Sequence, residues 1–352
     1  MATEWVHDMK RVIKAAALAM TGALALSACS SAGGSSEAGD KTIGLYGFAV
    51  PEAANKAIEK EFQETSEGEG VRVSGSYGAS GEQSRKVADT NGKDVDYVHF
   101  SLEGDVTRLV DAGLVEDDWN TGPNKGIVSS SVAVIAVEKG NPLGIKGWED
   151  LTRDDVKVIT ADPASSGAAR WNILALYTHA LSQGEDEAGA DAYLKKVFGN
   201  VSTWAASGRE ATEAFKKGVG NVLITYENEA ILAKQKGEEL DYIVPETSFL
   251  IENPGAVLKD ADPVASDWLE FVLSDQGQTE FVKKGFRPVG DLDISGIEVE
   301  GANDAADPFP VPSKKLYTID DLGGWKDVTA EWFGKDGEKL RFDNLYAEAT
   351  KQ

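Results

Sequence analysis

Along this chain, short runs rich in β-branched and aromatic residues repeatedly give way to stretches with helical spacing: 42–47 then 52–63, 71–77 then 82–89, 95–100 then 105–112, and 156–160 then 168–181. The short apolar runs read as strands, and the i, i+3, i+4 recurrence that follows each reads as an amphipathic helix. Strand–helix alternation makes successive strands pair in parallel, because each helix carries the chain back along a face of the sheet. The fold class expected is therefore α/β, with mainly parallel sheets flanked by helices. Loops that enter helix N-termini then gather at the carboxyl ends of the strands, where open α/β sheets bind ligands.

The run Ser131-Val132-Ala133-Val134-Ile135-Ala136-Val137 is long and apolar enough to be a buried strand, and Glu138-Lys139-Gly140-Asn141-Pro142 ends it in a turn. About 310 residues follow the N-terminal segment, more than a single core usually organises, so two lobes are expected. The 131–137 strand reads as the first crossing between them. The strand, helix and strand at 223–226, 228–236 and 241–244 read as the crossing back. The expected division is residues 41–126 with 227–300 in the first lobe and 127–226 in the second. Residues 301–352 would form a C-terminal segment packed on the second lobe. No internal repeat is visible.

Three segments open helices with Ser and Gly after a strand: Gly78-Ala79-Ser80-Gly81-Glu82-Gln83, Ser165-Ser166-Gly167-Ala168-Ala169-Arg170-Trp171 and Ser207-Gly208-Arg209-Glu210. The first turn of a helix leaves N–H groups without intrahelical acceptors and carries partial positive charge, so several such ends aimed at one point make an anion site. Such a site needs no cationic side chain. The formal net charge of -24 argues against nucleic acid as a partner. It says little about the short-range field inside a cleft.

Lys10, Arg11 and Lys14 precede an apolar run at 15–26 that is too short to span a bilayer and reads as a secretory signal peptide. The run ends in Leu26-Ser27-Ala28-Cys29, which resembles the lipobox of bacterial lipoproteins and makes Cys29 the expected lipidation site. Residues 1–29 would then be removed or anchored. The Ser/Gly/Ala-rich residues 30–40 would serve as a flexible tether, with the protein on the outer face of the cytoplasmic membrane. Cys29 is the only Cys, so the body must rely on its core rather than on disulfides.

Several stretches taken together carry a specific resemblance. They are Tyr77-Gly78-Ala79-Ser80-Gly81, the Ser165-Ser166-Gly167-Ala168-Ala169-Arg170-Trp171-Asn172 run, Tyr226-Glu227-Asn228-Glu229-Ala230, Gly285-Phe286-Arg287-Pro288, and Leu316-Tyr317-Thr318-Ile319-Asp320 with Gly323-Gly324-Trp325. In order and spacing the chain resembles the sulfate-binding proteins of bacterial ABC importers, which are type II periplasmic binding proteins. The resemblance implies a two-lobed fold with sulfate in the interlobe cleft, held by neutral donors and delivered to permease subunits. It implies backbone donors at Ala49, Ser80, Gly167, Ala168 and Gly208 and a hydroxyl donor at Ser166. At the remaining donor position the family often has Trp and this chain has Tyr226, whose phenol also donates one hydrogen bond. Arg170 and Arg209 are expected behind the ligand or across the lobes. No enzyme activity, cofactor or metal is implied, and a monomer is expected.

The alternatives are another oxyanion, such as thiosulfate, molybdate or phosphate, and, in a different class, a secreted hydrolase using Ser80 or Ser166. Ser80 with Gln83 and Ser207 with Glu210 also fit the capping box, a purely structural device, whereas Ser166 has Ala169 where the box needs Glu or Gln. Arg85, Arg170 and Arg209 fall inside helices, where solvation or pairing with carboxylates is the ordinary fate. Glu82, Glu210 and Glu227 are expected to face solvent or pair with Arg. Past the leader the chain has only His99 and His179, and His179 falls on the helical 171–181 stretch as a surface or packing residue, so no metal cluster or Ser-His-Asp set is indicated; G-x-S-x-G, C-x-x-C and P-loop motifs are missing.

Overall fold

The structure, a computed structural model, describes residues 41–334 and 341–349. The leader, the tether and Cys29 lie outside the described residues. The chain opens with β1 (Lys41–Phe48), α1 (Glu52–Phe62), β2 (Val71–Gly78), α2 (Ser80–Asp89), β3 (Tyr97–His99) and α3 (Glu103–Asp111). Then come β4 (Ile127–Glu138), β5 (Val158–Ala161), α4 (Gly167–Ser182), α5 (Glu187–Gly199), β6 (Val201–Ala205), α6 (Gly208–Lys216), β7 (Val222–Tyr226), α7 (Glu227–Gln235) and β8 (Leu240–Ile243). The last part holds β9 (Thr247–Val257), α8 (Val264–Leu273), α9 (Asp275–Lys283), β10 (Lys315–Tyr317), α10 (Trp325–Val328) and α11 (Arg341–Ala349).

The expected strand–helix alternation is present. β1 lies between β2 and β3, parallel to both, with Leu45 opposite Gly75 and Tyr97. β5 pairs in parallel with β6 and β7. Two long antiparallel strands join these parts into one mixed sheet in the order β2-β1-β3-β9-β4-β7-β5-β6. β4 is buried over nearly all its length, Ser129, Ser130 and Ser131 included, and its apolar second half fits that burial. Its first half pairs with β9 and its second half with β7 and β8.

The return crossing differs from the expectation. β7 and β8 both stay beside the second half of β4, at Ala133–Val137 and Ile135–Glu138, and the strand that reaches back to β3 is β9. Its sequence, Thr-Ser-Phe-Leu-Ile-Glu-Asn-Pro-Gly-Ala-Val, hides a strand because buried polar residues interrupt the apolar pattern. Their hydrogen bonds make burial tolerable: the Ser248 hydroxyl donates to the Ala133 carbonyl at 2.6 Å, and Asn253 Nδ2 to the Ser101 carbonyl at 3.1 Å.

Packing around α4 anchors the rest. This helix is apolar on almost every side, and Trp171 within it is fully buried. Trp325 lies edge-on to Trp171 at 4.6 Å and Trp332 to Tyr177 at 4.5 Å, while Phe342 sits 5.6 Å from Phe198 of α5. The C-terminal segment thus covers α4 and α5, and β10 adds a parallel strand to the start of β9.

Candidate functional site

A small cavity opens where the carboxyl ends of β1, β2, β3, β5 and β6 meet the tips of α2, α4 and α6. Residues 48–50, 78–80 and Ser101 line one side, and Ser166, Ala168, Ser207 and Gly208 the other. Ser80, Gly167 and Gly208 are the first residues of their helices, so their N–H groups precede any intrahelical acceptor. The tips approach closely. A Cβ on Gly208 would stand 3.3 Å from Ala168 Cβ and 3.4 Å from Val50 Cγ2, and one on Gly167 would collide with Ser101 at 2.7 Å. Glycine at 167 lets the α4 backbone reach the cavity against that serine.

Individual expectations divide. Ser166 is the N-cap of α4 by backbone geometry, yet its hydroxyl makes no cap bond and lines the cavity. Ser207 does cap α6, accepting from the Glu210 N–H at 3.1 Å. Ser80 does not cap α2. Ala79 holds that position, and the Ser80 hydroxyl donates instead to Asp105 Oδ2 at 2.6 Å while accepting from the Ser101 N–H at 2.9 Å. Only the backbone of Ser80 remains for the cavity.

Two implied donors need correction. The Ala49 N–H is committed to the Gly78 carbonyl at 2.9 Å, where it extends the β1–β2 ladder by one bond. Val50, one residue on, lines the same cavity and is the last N–H before Pro51. Tyr226 sits behind the wall rather than in it. Its side chain is buried, its hydroxyl lies 2.9 Å from Ser101 Oγ, and Ser101 is the residue that lines the cavity. Burial pushes the Tyr226 phenol well above its ordinary range, so it stays protonated.

The charged neighbours are turned away or paired. Arg209 grips Glu229 through two bonds of 2.9 and 2.7 Å and donates to the Val50 carbonyl at 3.1 Å, tying α6 to the β1–α1 loop. The Arg170 guanidinium lies over the Phe333 ring at 4.9 Å, against the C-terminal segment and away from the cavity. Glu82 and Glu210 are exposed, and Glu227 is fully buried against Arg287 at 2.8 and 3.2 Å. Burial raises the Glu227 carboxyl to about 7, and Arg287 opposes that rise. His179 and His99 are both packing residues. His99 is fully buried and driven down to about 3 by loss of solvent, so its ring is neutral at ordinary pH. Among the described residues, no three His, Cys, Asp or Glu side chains are grouped to hold a metal ion, and no helix is long and apolar enough to cross a membrane.

Sequence reading missed Ser101, Val50 and Asp105. Ser101 carries the same signal as the three Ser/Gly segments, a serine immediately after a predicted strand, but it lacks the adjacent glycine that drew attention to them.

An α/β sheet that brings several helix tips to one small cavity is the build of a binding protein, and residues 43–287 match the family described as bacterial extracellular solute-binding protein, to which this chain belongs. Within that family, it is 36% identical to a sulfate-binding protein of Synechococcus elongatus, over 96% of this chain and 97% of the relative. It is 33% identical to a sulfate-binding protein of Escherichia coli, over 85% and 89%, and 31% identical to a thiosulfate-binding protein of Pseudomonas aeruginosa, over 83% and 87%. Among solved structures, the sulfate-binding protein SubI of Mycobacterium tuberculosis aligns with a TM-score of 0.76 at 41% identity, covering 84% of this chain and all of that one.

Proposed function

We propose that this chain captures sulfate outside the cytoplasm and delivers it to an ABC permease, with no chemistry on the ligand. The observation that carries this reading is the convergence of three helix tips and the uncommitted Ser166 hydroxyl on one cavity from which every neighbouring carboxylate is turned away or paired. Neutral donors can dehydrate a dianion without placing a titrating group beside it, and each hydrogen bond to a charged acceptor contributes about 1.5–3 kcal/mol net. Selectivity follows from the lack of an acceptor. Sulfate carries no proton at neutral pH, whereas hydrogen phosphate would bury an unpaired donor at a cost of about 1–3 kcal/mol. The relatives named for sulfate and for thiosulfate fit the same chemistry, and sulfate is the reading preferred here because the sulfate-binding relatives cover more of the chain at higher identity.

In this reading the protein works as two lobes hinged at β4 and β9, with residues 227–243 grouped beside the second half of β4 rather than with the first lobe. It acts as a monomer, held outside the membrane by a lipid on Cys29, whose lipobox and tether have no other evident purpose. Calorimetric titration of the purified protein with sulfate, thiosulfate, molybdate and phosphate tests the ligand. Sulfate is expected to bind in the micromolar range or tighter and phosphate at least tenfold more weakly, and Ser166→Ala should weaken sulfate about 10- to 150-fold. Equal affinity for phosphate would overturn the neutral-donor reading. For the anchor, Cys29→Ala should move the protein out of the membrane fraction or leave its leader uncleaved; lipid-modified protein in that variant would remove the assignment.

A further inference from the structure

The geometry points to Ser101, not Tyr226, as the hydroxyl that completes the anion site, with Tyr226 as a positioning residue that aims the Ser101 proton into the cavity. This inference rests on the sulfate reading above. Ser101 is fully buried and lines the cavity, and its hydroxyl stands at the tip of α4, 2.8 Å from where a Gly167 Cβ would be. Its backbone is immobilised on both sides. The N–H donates to Ser80 Oγ at 2.9 Å, and the carbonyl accepts from Trp171 Nε1 at 2.9 Å and Asn253 Nδ2 at 3.1 Å.

Hydroxyl chemistry sets the direction of the shared proton: a phenol is a stronger donor and a weaker acceptor than a serine hydroxyl, so the Tyr226 proton takes the bond between them. The group within reach is Ser101 Oγ at 2.9 Å. A serine hydroxyl that accepts from a phenol has its single proton left over, and the unfilled space on that side is the cavity. The order continues upstream. Asn55 Nδ2 faces His99 Nδ1 at 3.4 Å, which places the His99 proton on Nε2, facing Ser129 Oγ at 3.0 Å, and the Ser129 hydroxyl donates weakly to Asn253 Oδ1 at 3.5 Å. These groups lead to Asn253, whose Nδ2 donates to the Ser101 carbonyl at 3.1 Å, and the bond that reaches the Ser101 hydroxyl is the one from Tyr226. A hydroxyl that accepts such a bond is the stronger donor for it.

The test is a double-mutant cycle read by calorimetric titration with sulfate. Ser101→Ala should weaken binding about 10- to 150-fold, as the loss of one bond to a charged acceptor predicts. Tyr226→Phe should weaken it less, by about 2- to 10-fold, because the serine keeps its proton and loses only its aim. In the S101A background, Tyr226→Phe should add nothing. Ser101→Cys, nearly isosteric and a poor donor, should reproduce the S101A loss with unchanged thermal unfolding of the ligand-free protein, which separates donor loss from misfolding. Unchanged affinity in both Ser101 variants would overturn the assignment. So would a Tyr226→Phe loss of equal size in the wild-type and S101A backgrounds, since the phenol would then touch the anion itself. A wild-type protein that binds no sulfate would overturn the functional reading, an outcome distinct from a wild type that binds and a Ser101 variant that binds equally well.

Discussion

Neighbouring residues around the start of α7 serve two opposite environments. Tyr226 shares a neutral hydrogen bond with Ser101, while Glu227 and Glu229 form buried ion pairs with Arg287 and Arg209. The neutral side reaches the cavity; the charged side holds the frame around it. A full charge near the ligand would tie affinity to pH and to the net field of a protein at -24. Ion pairs are tolerable one layer away because each partner satisfies the other, although removing one partner strands the other in a place water does not reach. Charge in this molecule therefore secures the scaffold, and polar groups without charge line the cavity.

That division can be broken from either side. The largest effect is expected from Arg287→Met, which leaves the fully buried Glu227 without its partner and should destabilise the fold by about 3–5 kcal/mol in denaturant unfolding. A loss below about 1 kcal/mol would show that the pair does not carry the frame. His99 sharpens the neutral side. Its folded value lies near 3 against an ordinary 6.5, so between these values the unfolded chain binds a proton that the folded chain refuses. The stability this contributes is complete above pH 6.5 and is lost as pH falls, by about 2 kcal/mol between pH 6.5 and 5. In His99→Gln that acid loss should shrink by the same amount, with the contribution of His179 left in place. The smallest effect is on the ligand. Because the neutral ring persists in the fold, sulfate affinity should stay within about twofold from pH 5.5 to 8, and a tenfold change would place a titrating group at the anion.

The legible part of this fold is the part built from periodic apolar residues. The strand–helix units up to α3, the buried β4 and the tips of α4 and α6 follow from spacing and from Ser and Gly placed before a helix. β9 was hidden because Ser248 and Asn253 are buried for their hydrogen bonds rather than for their hydrophobicity. At the site, Ser166 was readable by the lack of a capping-box partner. The Ala49 and Val50 distinction was not, since a backbone N–H has no side-chain signature and its fate depends on one ladder bond to Gly78. Tyr226 was expected to donate to the anion, but the hydroxyl it bonds, that of Ser101, lies 125 residues away in the chain, and only the folded sheet brings the two together.

Trp171 gives the arrangement an optical side. Its indole N–H rests on the carbonyl of Ser101 and its ring stands against Trp325, so a fluorophore sealed from solvent is one hydrogen bond from the cavity wall. Any ligand that shifts Ser101 changes the electric field on that indole. Trp171 emission is therefore expected to shift on occupancy, with the C-terminal segment that supplies Trp325 forming the other side of its surroundings.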